Sequence, residues 1–147
     1  MTDFLRVAVS TVSDTATAVH EVAGELMPVS PSVVFVFHGT AHSGGEVSQG
    51  FTAAFPGVTV VGCTTMGEIS PRGMVESSIT ALAIGEPCRV AAERIVDLGS
   101  FRFEDGAQLM GRLAGALGME TEDLSSDRHV VLTLTDGLSS NEEQVFA

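Results

Sequence analysis

Apolar positions in the first sixty residues switch between two periods. Phe4 to Val12 is apolar and β-rich, which predicts a strand. Ser13 and Asp14 follow, supplying an N-cap and a first-turn acid. Thr15, Val19, Val22 and Leu26 then recur at helical spacing, predicting a helix to about Met27 that Pro28 and Pro31 stop. Val33 to Phe37 is an unbroken apolar run of strand length, as expected for a strand buried on both faces. A loop from His38 to Gly45 leads to Val47, Phe51, Ala54 and Phe55, the stripe of a second helix. Pro56-Gly57 ends it, and Val58 to Val61 reads as a third strand. The order β-α-β-α-β implies parallel strands joined by right-handed crossovers.

Beyond Pro71 the pattern changes. Val75 to Ile84 and Arg89 to Val96 read as strands, and the link Gly85 to Cys88 is too short for a parallel crossover, so they are expected to form an antiparallel hairpin. Ser100 is placed to cap a helix carrying Leu109, Leu113 and Leu117 on one stripe, with Gly118 at its end. His129 to Thr135 reads as a further strand and Asp136-Gly137 as a turn. Ser140 with Glu143 forms a capping box for a last helix too short to stand without a partner, so the domain is expected to continue past Ala147. The expected fold class is α/β: a mixed, mainly parallel twisted sheet with an antiparallel hairpin and helices packed on it. The whole chain, 1–147, is expected to form a single domain.

Composition narrows the function. The net charge is -12, from 19 acids against 7 bases, which disfavours nucleic acid and anionic membrane as partners. All the bases are arginine, and without lysine there is no Schiff-base chemistry and no P-loop. No apolar run approaches the ~20 residues of a membrane helix. The N-terminus does not read as a signal peptide, so Cys63 and Cys88 are expected to be free thiols in a reducing, cytoplasmic setting.

In open α/β sheets, ligands bind beyond the carboxyl ends of the parallel strands. Here those ends carry His38, the segment Gly62-Cys63-Thr64-Thr65, and Asp136. If the strands are neighbours, imidazole, thiol, hydroxyls and a carboxylate converge on one rim. The glycines around Gly39, Thr40 and His42 would let backbone N–H groups face an anion. His38 and His42 in a loop do not have the helical spacing of a metal pair, so no metal site is expected. Cys63 with His38 as base is a conceivable nucleophile, but a small packed residue is the simpler reading. Glu68 is a lone acid in the uncharged stretch Val58 to Pro71, placed either to cap backbone N–H groups or to meet a ligand amine.

The stretch Val60-Val61-Gly62-Cys63-Thr64-Thr65-Met66-Gly67-Glu68-Ile69-Ser70-Pro71-Arg72-Gly73 resembles the hallmark of the N-terminal region of FIST domains. Val7 to Leu26, Val33 to Phe37, Ser77 to Ile84 and Leu132 to Gln144 look like that family's other strands and helices, in order. Met66 departs from the pattern, since alanine is usual there. The resemblance implies a prokaryotic sensory domain that binds small ligands, amino acids among them. It also implies signalling partners such as histidine kinases, diguanylate cyclases or chemoreceptors, and a C-terminal FIST domain. Some relatives are linked to haem and nitric oxide sensing, which would use His38, His42 or Cys63 as a ligand. The expected function is therefore a small-ligand sensor that is not an enzyme and needs no cofactor. The alternatives are a haem-binding gas sensor, a ligand-free interaction scaffold, and a Cys63/His38 hydrolase or transferase. The expected ligand-binding set is His38, Gly39, Thr40, His42, Cys63, Thr64, Thr65, Glu68 and Asp136, and oligomerisation is open.

Overall fold

A computed structural model describes residues 4–71 and 73–135. The chain divides into two compact units, Met1–Val90 and Ala91–Ala147. The first contains β1 (Leu5–Ser10), α1 (Thr15–Leu26), a 3-10 turn (Met27–Val29), β2 (Pro31–Gly39), α2 (Gly44–Ala54), β3 (Thr59–Thr65), β4 (Glu68–Ser70), β5 (Gly73–Val75) and β6 (Ile79–Gly85). The second contains a 3-10 turn (Leu98–Ser100), α3 (Phe103–Ala116) and another 3-10 turn (Thr121–Asp123).

The main sheet has the order β1-β6-β2-β3. β2 and β3 are parallel, while β6 runs antiparallel to both β1 and β2. The fold is therefore α/β with a mixed sheet, as the pattern predicts, but one parallel pairing against two antiparallel ones corrects "mainly parallel". The physical reason lies in β6. It returns to the middle of the sheet between β1 and β2, which separates the two strands expected to be parallel neighbours.

The expected hairpin also moves. Arg89 to Val96 forms no strand, so β6 has no partner there. The antiparallel hairpin is instead β4–β5, in register Glu68↔Val75, Ile69↔Met74, Ser70↔Gly73. The predicted strand over Val75 to Ile84 is broken because Ser77 takes a left-handed backbone, φ 53°. That conformation ends β5 and redirects the chain into β6.

Both helices of the first unit pack on one sheet face. Ala18, Val19, Val22, Ala23 and Leu26 of α1 and Val47, Phe51 and Phe55 in or beside α2 share a core with Ala8, Val34, Val36, Ile79, Ala81 and Ala83. Across the strands Ala8, Ala81 and Val36 are register partners, so small side chains make room for the helices. Phe51 and Phe55 stack with ring centroids 6.4 Å apart. A Cβ at Gly50 would fall 2.7 Å from Val19 Cγ1, which is how closely α2 approaches α1.

Local chemistry explains the ends of the elements. Asp14, not Ser13, is the N-cap of α1, and its carboxylate accepts from the Thr17 N–H at 2.9 Å. Ser43 caps α2. Ser100 does not cap α3, because it ends the preceding 3-10 turn, and the helix starts at Phe103. There the Asp105 carboxylate accepts the Arg102 N–H at 2.9 Å. Gly118, at φ 72°, sits just past α3 as predicted. His129 to Thr135 is in no strand. Asp136, the turn it begins and the last predicted helix lie outside the described residues.

Candidate functional site

The parallel pairing places His38 opposite Thr64 and Gly39 opposite Thr65, so two of the expected rim loops do meet. What closes this end of the sheet is the bend at Ser77–Ser78. A Cβ at Gly39 would lie 2.7 Å from Ser77 Cα and 3.0 Å from Ser77 N, so only glycine admits this crossing. The Gly39 N–H donates to the Ser78 carbonyl at 3.0 Å.

Glu68 is buried at 2% exposure, at the start of β4. One carboxylate oxygen accepts from the Ser78 hydroxyl at 2.6 Å and the Ser78 N–H at 3.1 Å. The other accepts from the Thr65 hydroxyl. Burial pushes its pKa up, but the Ser78 and Thr65 hydroxyls and the Ser78 and Glu68 N–H groups outweigh burial. The net result is a carboxyl held below its ordinary value, an ionised group satisfied by dipoles.

His42 is likewise buried and engaged at both ring nitrogens. Nδ1 lies 3.2 Å from Thr15 Oγ1 and Nε2 lies 3.3 Å from the Ser77 carbonyl oxygen. A neutral ring with its proton on Nε2 satisfies both, donating to the carbonyl and accepting from the hydroxyl. His42 therefore ties the β2–α2 loop to α1 and to the Ser77 bend.

His38 differs. It is 5% exposed, and its Nδ1 lies 3.0 Å from the Gly39 carbonyl oxygen, to which it donates. In the neutral ring, that bond leaves Nε2 as the acceptor. Nε2 has no hydrogen-bond partner among the described residues. It faces the start of α2, where a Cβ added at Gly44 would sit 3.5 Å away. In α2, Ser43 Oγ accepts from the Glu46 N–H at 3.4 Å and the Ser43 carbonyl accepts from the Val47 N–H. The Gly44 and Gly45 N–H groups have no partner among the described residues, as expected of a helix's first donors.

Thr40 and Thr64 are exposed and Thr65 is half-buried, its hydroxyl turned to Glu68. Cys63 is exposed on β3 and pairs with Phe37, one register position from the His38–Thr64 pair. Successive side chains of a strand point to opposite faces, so Cys63 and His38 lie on opposite sides of the sheet. Partial burial pushes the Cys63 thiol up, away from the thiolate a nucleophile needs. Asp136, the third expected loop, lies outside the described residues.

Thr15, Ser77 and Ser78 are the members sequence reasoning missed. The polar run Glu76-Ser77-Ser78 inside the predicted strand Val75 to Ile84 is the available signal. By its spacing alone, Thr15 reads only as the first residue of a helical stripe.

Both ring nitrogens of His42 are committed, and partial burial shifts the Cys63 thiol toward its protonated form. Among the described residues, no group of three or more His, Cys, Asp or Glu side chains is placed to hold a metal ion. Among the same residues, no helix is long and apolar enough to cross a membrane.

In this α/β unit the polar network of His42, Glu68, Ser77 and Ser78 sits near the carboxyl ends of the parallel pair β2 and β3. The FIST N domain family model matches residues 32–147, so the chain belongs to this family of sensory, signal-transduction domains. No curated protein matches the chain.

Proposed function

We propose that this protein senses a small amino-acid-like ligand at the rim formed by the start of α2 and the ends of β2 and β3. One observation carries the reading: a buried histidine, His38, holds its Nε2, without a partner among the described residues, close to Gly44 at the start of α2, where the Gly44 and Gly45 N–H groups also have no partner among those residues. Donors and an acceptor side by side suit a molecule that carries a carboxylate and an ammonium on one carbon. The carboxylate would take the helix N–H groups, favoured by the helix dipole. The ammonium would donate to His38 Nε2. Thr40 and Thr64 are the exposed hydroxyls that would select among side chains.

In this reading His42 and Glu68 hold the site rather than touch the ligand, because their polar atoms are already satisfied. The role is sensing and not catalysis, since Cys63 and His38 face apart. A signalling output partner and a cytoplasmic setting belong to the same reading, and membership of the family supports them.

The test is a thermal-shift panel of the twenty amino acids on the full chain. A ligand at about 100 times its Kd stabilises by roughly 2.7 kcal/mol. His38→Ala should abolish the shift without unfolding the protein. A flat panel with parent protein that melts cooperatively would remove the proposal.

A further inference from the structure

His38 is buried, and its Nδ1 is committed to the Gly39 carbonyl oxygen at 3.0 Å. The other edge of the ring is aimed at the first turn of α2: a Cβ added at Gly44 would lie 3.5 Å from Nε2 and 3.6 Å from Cε1. Nε2 has no hydrogen-bond partner among the described residues. A helix start alone would attract any small anion. A buried ring nitrogen aimed into it makes the site choose, because an imidazole nitrogen that accepts in the neutral ring donates once the ring is protonated.

We propose that His38 is the specificity-determining residue of the rim, and that a proton on it inverts the preference. This inference rests on the ligand reading given above. With Nε2 bare, the site takes acids that carry an α-ammonium, which donates to it. It rejects the same acids without the amine, which would leave a buried acceptor unpaired. With Nε2 protonated, the ring becomes a third donor beside the Gly44 and Gly45 N–H groups. The site then takes the amine-free carboxylate, whose charge offsets the buried cation, and repels the ammonium. The register partners of His38 are Thr64 on β3 and Ile79 on β6, which do not titrate. The titratable side chains of the neighbouring elements are His42 in the β2–α2 loop, Glu46 in the first turn of α2, Glu21 of α1 and Glu68 of β4. Glu46 is exposed, Glu21 accepts from the Ser10 hydroxyl at 2.6 Å, and Glu68 is bonded to Ser78 and Thr65. Arg6 lies at the far end of the sheet, in register with Ala83. His42 is the one other imidazole among these groups, the side-chain type that changes charge between about pH 5 and 8, so the experiment has to separate it from His38.

The experiment runs each of the twenty amino acids beside its amine-free counterpart on the full chain, propionate beside alanine, succinate beside aspartate, 3-phenylpropionate beside phenylalanine and so on. Thermal shift and calorimetry are read at about pH 7.5 and about pH 5.5, both above the range in which carboxylates titrate. At the higher pH an amino acid that binds should do so at least about tenfold more tightly than its counterpart. At the lower pH that ratio should fall below one. The counterpart should then bind with uptake of a proton, read from two buffers of different ionisation enthalpy. His38→Gln, whose amide does not titrate, should give the same ratio at both pH values. If His38→Gln does not melt cooperatively, the proton uptake of the parent decides, and its absence overturns the proposal. A parent ratio that does not change with pH overturns it while leaving an amino-acid site. So does equal affinity within the pairs at the higher pH, or a pH dependence that His38→Gln retains, which would pass the role to His42. No binding by any compound at either pH removes the ligand reading itself, and this inference with it.

Discussion

Ser78 donates both its hydroxyl and its backbone N–H to one oxygen of Glu68, at 2.6 and 3.1 Å. This pair of hydrogen bonds joins the start of β4 to the bend before β6. It makes a buried carboxylate the anchor of the hairpin, where sequence alone allowed a ligand contact equally well.

Glu68→Ala should therefore cost stability, because it strands the Ser78 and Thr65 donors in a buried site. The expected loss is about 2–3 kcal/mol in urea denaturation at neutral pH. The pH dependence has a definite sign. The folded pKa is lowered, so the stabilisation is complete above the ordinary glutamate value of about 4.3 and is lost as pH falls through the folded value. Glu68→Gln should flatten that part of the acid limb. An unchanged acid limb in Glu68→Gln would argue that the carboxylate is not the titrating tie.

Gly39→Ala should be costly despite an ordinary φ. Its Cβ would meet Ser77 backbone atoms at 2.7 and 3.0 Å, and backbone cannot swing aside as a side-chain tip does. A loss of about 1–3 kcal/mol is expected. Gly24→Ala, where a Cβ meets nothing within 4 Å, should be neutral or stabilising by comparison. Equal effects at the two positions would count against the close crossing at Ser77.

Thr64→Ala separates ligand contact from architecture. Thr64 is exposed and opposite His38, so its loss should change stability by no more than about 0.5 kcal/mol. His42→Ala should instead lower the melting temperature, since it unpairs the Ser77 carbonyl and the Thr15 hydroxyl. Under the proposed function, Thr64→Ala reorders the amino-acid panel while the fold stays intact. Identical panels for parent and Thr64→Ala would place the ligand elsewhere.

Cys63 should alkylate slowly at neutral pH. Its thiol is pushed up by partial burial, so in a Cys88→Ser background the iodoacetamide rate should reach half its maximum above the ordinary cysteine value of about 8.5. A midpoint below 8 would revive the nucleophile reading.

Much of the first unit was legible in the chain. The 3.6-residue stripe of Val19, Val22 and Leu26 and the apolar run Val33 to Phe37 specify their elements through local burial alone, and both form. The carboxyl ends of β2 and β3 could also be matched, because a parallel pair sets one register. Asp14 rather than Ser13 as cap, and Phe103 rather than the Ser100 region as the start of α3, are one-to-three-residue errors of the kind that capping geometry alone resolves.

The sequence by itself determined the family, the alternation of strands and helices, the absence of lysine chemistry and the cluster of polar residues near His38 and Glu68. Only the tertiary structure decided what those residues do. Strand order is set by pairings between distant segments, and nothing local in Ile79 to Gly85 says that it inserts between β1 and β2. The broken strand at Ser77 depends on Gly39 approaching from another strand. The roles of three polar side chains depend on their partners' positions: His42 and Glu68 are spent on Thr15, Thr65, Ser77 and Ser78, while His38 Nε2 has no partner among the described residues. A hydrogen bond needs both partners in place, and periodicity carries information about only one of them.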